Sequence, residues 1–167
     1  LVKLKLDTPE KNTMYVYLAG AMEKAPDRGC GWRSELSPFL TDTLGHRIFD
    51  PCIEENRILS VNQRRKLSVA KKSDLPEFRR LMRKIIDTDL NTILDEVDYI
   101  VCLWDEHVLG GGGTHGELTL AYHNNIPVYM VTKIPPAKMS SWILGCTTEV
   151  FTGFDELRSF LRNKFTG

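Results

Sequence analysis

The sequence predicts an α/β protein, a single domain over residues 1–167 built on a parallel five-stranded sheet with helices on both faces. Short apolar runs, too brief for helices, alternate along the chain with stretches of helical period. Those runs are apolar at nearly every residue, as strands buried on both faces are. A chain of 167 residues is long enough for one sizeable core and short for two.

The elements follow in order. Met14-Tyr15-Val16-Tyr17-Leu18-Ala19, β-branched and aromatic and closed by Gly20, reads as a buried first strand. A polar loop comes next, Glu23 to Arg28 with Gly29 and Gly31. Trp32, Leu36, Phe39, Leu40 and Leu44 then recur at helical spacing, with Gly45 at the C-cap and Pro38 weakening or kinking the helix. His46 to Asp50 is a second strand, stopped by Pro51. Cys52 to Lys72 is polar and without a clean period, so a long excursion holding a short helix is expected there. Asp74 suits an N-cap, with Pro76 and Glu77 in the first turn of a long helix whose apolar positions run from Phe78 to Val97. Tyr99 to Leu103 is the third strand. Gly110 to Gly113 opens a helix reaching about Asn125, Val128 to Val131 and Thr148 to Phe151 are the last strands, and Phe154 to Phe165 closes the chain as an amphipathic helix. The alternation is Rossmann- or flavodoxin-like. Ligands of such sheets bind outside the carboxyl ends of the strands, near the reversal in strand order. That directs attention to the loops after Ala19, Asp50, Trp104 and Val131.

Charge sets limits on partners. With 22 basic and 22 acidic residues, no global field recruits a nucleic acid polymer or an anionic membrane. The excursion is different: from Cys52 to Ile86, ten basic residues face four acidic ones, so anions are attracted locally. The four cysteines, Cys30, Cys52, Cys102 and Cys146, are far apart with no C-x-x-C pair, which argues against a zinc site and a disulfide framework. The longest apolar run, Tyr99 to Trp104, is far short of the ~20 residues that span a bilayer. Charges mixed into Leu1 to Leu6 do not suit a signal peptide. A cytoplasmic protein without metal or cofactor is expected.

The richest chemistry follows Trp104. Gly110-Gly111-Gly112-Gly113 lets backbone approach a ligand, and the helix start behind it presents N–H groups. Flexible loops share that composition, and no Lys-Ser/Thr pair follows to make a P-loop. Glu117, one turn into the helix, can face the same cavity, although a first-turn carboxylate also suits a solvated surface. Asp50 ends a strand where it can touch a base, or serves an ordinary Asp-Pro turn. His115 neighbours Glu117. Arg28, Trp32 and Arg33 follow the first strand, where a lid is plausible, with Trp32 equally suited to the core. Asp105 and Glu106 either meet a sugar or solubilise their loop.

Three separated segments together resemble the nucleoside 2-deoxyribosyltransferase family and its relatives that hydrolyse nucleoside 5'-monophosphates. They are Tyr17-Leu18-Ala19-Gly20, then Asp89-Leu90-Asn91-x-Ile93 with Val97-Asp98-Tyr99-Ile100-Val101, then Gly113-Thr114-x-x-Glu117-Leu118 with Ala121. The stretch from Trp142 to Leu157 also has the look of the family's final strand and helix. The resemblance implies Glu117 as nucleophile, Tyr17 as its hydrogen-bond donor and Asp89 as a substrate-contacting carboxylate. Gly20, Arg28, Trp32, Asp50, Gly111, Gly112, Gly113, Thr114 and His115 are then expected around the substrate, a nucleoside or nucleotide. It also implies a homo-oligomer. Gly111 departs from the pattern, standing where the transferases place an aspartate six residues before the nucleophile. The excursion at about 52–86 is longer than in compact members, and its Arg and Lys residues are candidates for a 5'-phosphate.

Gly110-Gly111-x-Gly113-Thr114-x-x-Glu117 also resembles the G-G-x-G-T-x-x-E motif of phosphoribohydrolases, whose glutamate likewise serves cleavage. Tyr17 and Asp89 favour the deoxyribosyltransferase side. A non-catalytic nucleotide sensor would use the glycine loop without needing Glu117 or Tyr17.

Overall fold

The computed structural model describes residues 13–167; the N-terminal segment judged unlike a signal peptide lies outside the described residues. Five strands, β1 (Tyr15–Gly20), β2 (Arg47–Phe49), β3 (Tyr99–Trp104), β4 (Val128–Thr132) and β5 (Glu149–Phe151), pair in parallel in the order β2-β1-β3-β4-β5. The helices are α1 (Cys30–Pro38), α2 (Pro51–Ile58), α3 (Val61–Ser73), α4 (Leu75–Asp95), α5 (Gly113–His123), α6 (Ser141–Gly145) and α7 (Phe154–Thr166). After β1 the chain steps outward to β2, then returns past β1 to lay down β3. The loops leaving β1 and β3 therefore diverge, and a crevice opens between their carboxyl ends.

Alternation along β1 distributes its side chains between two cores. Val16 and Leu18 pack with Leu36 and Leu40 from the α1 side and Leu157 and Leu161 of α7. Tyr17 and Ala19 face the opposite way, with Ile93 of α4 and Leu118 and Ala121 of α5. All four strand residues are fully buried, at about 1.5–3 kcal/mol for each large apolar side chain. This double burial explains why the strand reads as a continuous apolar run.

Local sequence chemistry sets the helix ends. Asp50 accepts from Cys52 N at 2.9 Å ahead of Pro51, Ser60 and Gln63 form a capping box, and Asp74 accepts from Glu77 N at 3.1 Å. The polar excursion is consequently two helices, α2 and α3, followed by the first half of α4, rather than a loop holding a short helix. Each of α2 and α3 is too weakly amphipathic to show a clean period, and their caps were the better signal. Pro38 changes the expected helix instead of merely kinking it. Lacking an N–H, it ends the α-helical pattern, and Phe39–Thr43 continues as a π-turn, with Leu44 N donating to Phe39 O at 3.2 Å. Gly45, at φ 73°, closes the segment as a C-cap.

Candidate active site

Tyr17 sits in the middle of β1, its ring stacked on Phe49 of β2 with centroids 5.0 Å apart. Its hydroxyl emerges on the α4 and α5 side and donates to Glu117 Oε1 at 2.8 Å. Glu117 is carried there by α5, anchored by buried Thr114, Leu118 and Ala121, and keeps partial exposure. Asp89, near the end of α4, completes the group; its Oδ1 is buried and has no hydrogen-bond partner. Three separated segments thus meet beside the carboxyl ends of β1 and β3.

The electrostatics divide the two carboxyl groups. Burial raises Glu117 above the usual carboxylate range, while the Tyr17 hydrogen bond and the Arg33 charge pull it back. Burial pushes Asp89 up to about 7, with the charge of Glu117 adding to the rise and the nearby Tyr17 hydroxyl opposing it. Tyr17 has one proton to give, and at 2.8 Å it gives it to Glu117. The hydrogen bond thus favours the ionised form of Glu117 over that of Asp89, and a charge on Glu117 raises Asp89 further. Tyr17 itself is pushed well above its ordinary value, by burial first and then by the Glu117 and Asp89 charges, so it stays a donor.

The loop from Ala21 to Gly29 forms one wall of the crevice. Asp27 accepts from Gly29 N at 2.8 Å and Gly31 N at 2.9 Å. Gly29 has φ 71°, and a Cβ there would strike the Ala21 carbonyl and Arg33. Arg33 is no lid: it is fully buried and donates to Leu18 O, Gly29 O and Gly20 O at 3.1, 2.7 and 3.1 Å, with Asp50 Oδ1 at 3.8 Å. Its guanidinium joins the end of β1 to the loop and to the cap of α2. A side chain at Gly20 would press on Leu103 O and the Trp32 ring, both 3.2 Å away.

Trp32 stacks on Phe154 at 5.7 Å and lines a cleft of about 230 Å³ with Asp27, Leu103, Asp105 and His107. Arg28 is exposed and pairs with Glu55 at 2.6 Å. Asp50 is buried between its cap bond and Arg33. Glu106 is exposed, 3.9 Å from His107.

Opposite this wall runs the glycine loop. At Gly112 and Gly113 an added Cβ would meet nothing within 4 Å, so these glycines are not required by packing within the chain. No side chain caps the first turn of α5, leaving its N–H groups pointing outward. His115 turns away from Glu117, edge-on to Trp104 at 4.9 Å. It lines a separate apolar groove of about 670 Å³ with Leu90, Thr119 and Trp142. Glu117, Asp89 and Tyr17 line neither cavity.

One feature of the mouth went unread in the sequence. Lys71 of α3 reaches Glu23 at 2.7 Å, and Lys24 approaches the same carboxylate at 3.8 Å while lying against Gly110. Two ammonium groups on one carboxylate leave a net positive charge beside the glycine loop. Pairing across 48 residues has no local signature. Among the described residues, no cluster of three or more His, Cys, Asp or Glu side chains could hold a metal ion.

No protein-family model and no curated protein matches the chain. Solved structures do. A 2-deoxyribosyltransferase from the psychrotolerant bacterium Bacillus psychrosaccharolyticus aligns with TM-score 0.57 at 14% identity, over 86% of this chain and 90% of its own. A conserved protein from Enterococcus faecalis V583 aligns with TM-score 0.64 at 15% identity, over 91% of this chain and 99% of its own. Likeness at such identities is likeness of fold, and the chain has the five-stranded parallel α/β fold of a 2-deoxyribosyltransferase.

Proposed function

We propose that this protein cleaves the N-glycosidic bond of a nucleoside or nucleoside 5'-monophosphate, with Glu117 as the nucleophile. The carrying observation is the 2.8 Å Tyr17–Glu117 hydrogen bond beside an Asp89 held at about 7. A carboxylate kept ionised next to a carboxyl kept protonated is the pair this reaction needs. As the bond from C1' to the base nitrogen breaks, Glu117 captures the electron-deficient C1' and Asp89 gives its proton to the departing base. In the second half, an incoming base nitrogen or water attacks C1', loses its proton to Asp89, and frees Glu117. A second base makes the enzyme a transferase; water makes it a hydrolase. The fold likeness to a 2-deoxyribosyltransferase supports the transfer outcome.

Gly111, Gly112, Gly113 and Thr114 provide the approach for the sugar or its 5' substituent, and Trp32 borders the space for the base. Gly20, Arg28 and Asp50 shape that wall, while His115, on α5, lines the separate apolar groove. Lys24 and Lys71 supply the charge that a 5'-phosphate would meet. The apolar groove beside α5, with Trp142 69% exposed, supports assembly with further copies of the chain. Light scattering that shows a monomer at micromolar concentration would remove that part of the proposal.

The test incubates the protein with deoxynucleosides, ribonucleosides and their 5'-monophosphates, with and without a second base. Exchanged nucleoside indicates transfer, and free base alone indicates hydrolysis. Glu117→Gln should lower either rate by about 1,000-fold or more. Normal turnover in that variant would refute the mechanism. Binding without product would favour a sensor.

A further inference from the structure

Cys30 and Cys52, 22 positions apart, occupy the first and second residues of α1 and α2. In the fold their sulfur atoms converge on one acceptor, the Arg28 carbonyl, at 4.0 Å for Cys30 and 3.4 Å for Cys52. Both residues are partly exposed, whereas Cys102 and Cys146 are buried. The same contact is already held by the Arg28–Glu55 ion pair at 2.6 Å, and by Arg33, whose Nη1 lies 3.8 Å from Cys52 Sγ. Neighbouring thiols on two separately anchored helix starts, open to solvent, form a site for a thiol oxidant.

We propose that Cys30 and Cys52 form a reversible disulfide when a small-molecule disulfide oxidises them, stapling the loop that walls the crevice to the start of α2. Burial, a hydrogen bond to Cys30 and the charge of Asp50 hold the Cys52 thiol up to about 12, against the Arg33 charge. Cys52 is therefore the poorer attacker and Cys30 opens the exchange. The Cys30 thiolate attacks one sulfur of the oxidant, forming a mixed disulfide and expelling the first thiol. Cys52 then loses its proton and displaces the second thiol from the Cys30 sulfur. Two protein thiols have given up two electrons and two protons, and one disulfide has become two thiols. The consequence falls on residues 21–29, the wall that includes Asp27 and Gly29 of the 230 Å³ cleft. This inference is independent of the N-glycosidic reading.

The folded protein is incubated with oxidised glutathione and mapped by mass spectrometry without reduction. The expected result is a peptide pair joined through Cys30 and Cys52, with no retained glutathione and with Cys102 and Cys146 still free. The Cys52→Ser variant should accumulate a stable glutathione adduct on Cys30, and amide exchange across 21–29 should slow in the oxidised wild type. A wild type that stops at a mixed disulfide, or leaves both thiols unreacted, overturns the proposal. Unchanged exchange across 21–29 overturns the staple.

Discussion

At the scale of single residues, the site depends on how one phenolic proton is assigned. Tyr17 donates to Glu117 and leaves Asp89 Oδ1 without a partner, so two poorly solvated carboxyl groups have different reasons to ionise. Removing that proton in Tyr17→Phe should cost about 1–2 kcal/mol, or roughly 10-fold in kcat/KM. An unchanged kcat/KM would show that Glu117 does not need its donor. For activity, the proposed mechanism requires Glu117 ionised and Asp89 protonated. The rate should therefore fall as pH rises through about 7 and Asp89 loses its proton, and fall again at acid pH as Glu117 gains one. The Asp89→Asn variant should lose the alkaline limb, and its persistence would assign that limb to another group. For stability, a carboxyl raised in the folded state binds its proton more tightly there than in the unfolded chain. Its favourable contribution is full below its ordinary value of 3.8 and is lost as pH rises to about 7. Asp89→Asn should therefore gain stability over wild type at pH 8, by on the order of 3 kcal/mol, as measured by urea denaturation. No gain at pH 8 would mean that Asp89 is not strained when ionised.

At the scale of elements, the two glycine-bearing loops make opposite demands. Gly113 begins α5 with open space around its missing side chain, and alanine is the better helix former. Gly113→Ala should leave stability equal or raise it by up to about 1 kcal/mol while raising KM several-fold, because the methyl group occupies the substrate's approach. Unchanged KM would make the loop an ordinary helix entry. Gly29→Ala should instead destabilise by about 2 kcal/mol or more: the residue is at φ 71° and its Cβ would collide with the Ala21 carbonyl. Thermal unfolding separates the two, and a Gly29→Ala protein as stable as wild type would show that this loop relaxes freely. Strand positions and the Asp74 cap were legible because each is governed by residues close in sequence. Helices α2 and α3 were not, since they bury little and their charged faces mask the period. Sequence position after a strand suits Arg33 to a lid. Its burial becomes reasonable only once the Leu18, Gly20 and Gly29 carbonyls are seen to converge on it.

At the scale of the whole molecule, a chain of zero net charge concentrates its positive charge on α3 and the first half of α4. The Lys71–Glu23 pair brings part of that charge to the mouth of the site. If the mouth receives a phosphate, 5'-monophosphates should be turned over several-fold faster than nucleosides at low salt, with the advantage shrinking as salt rises. Lys71→Glu should reduce that preference; equal rates at low salt would take the phosphate out of the proposal. No helix among the described residues is long and apolar enough to cross a membrane. The sequence by itself determined the order of the strands and of the helices outside the excursion, and the double burial of the sheet, because periodicity and caps are written locally; the candidate carboxylate Glu117 was legible through the resemblance of three separated segments. Only the tertiary structure decided which donor Glu117 receives, that burial raises Asp89 above the usual carboxylate range, that Arg33 is a strut and that Cys30 comes near Cys52. These depend on side chains from distant segments sharing one poorly solvated volume, where a few ångströms set both hydrogen bonding and charge.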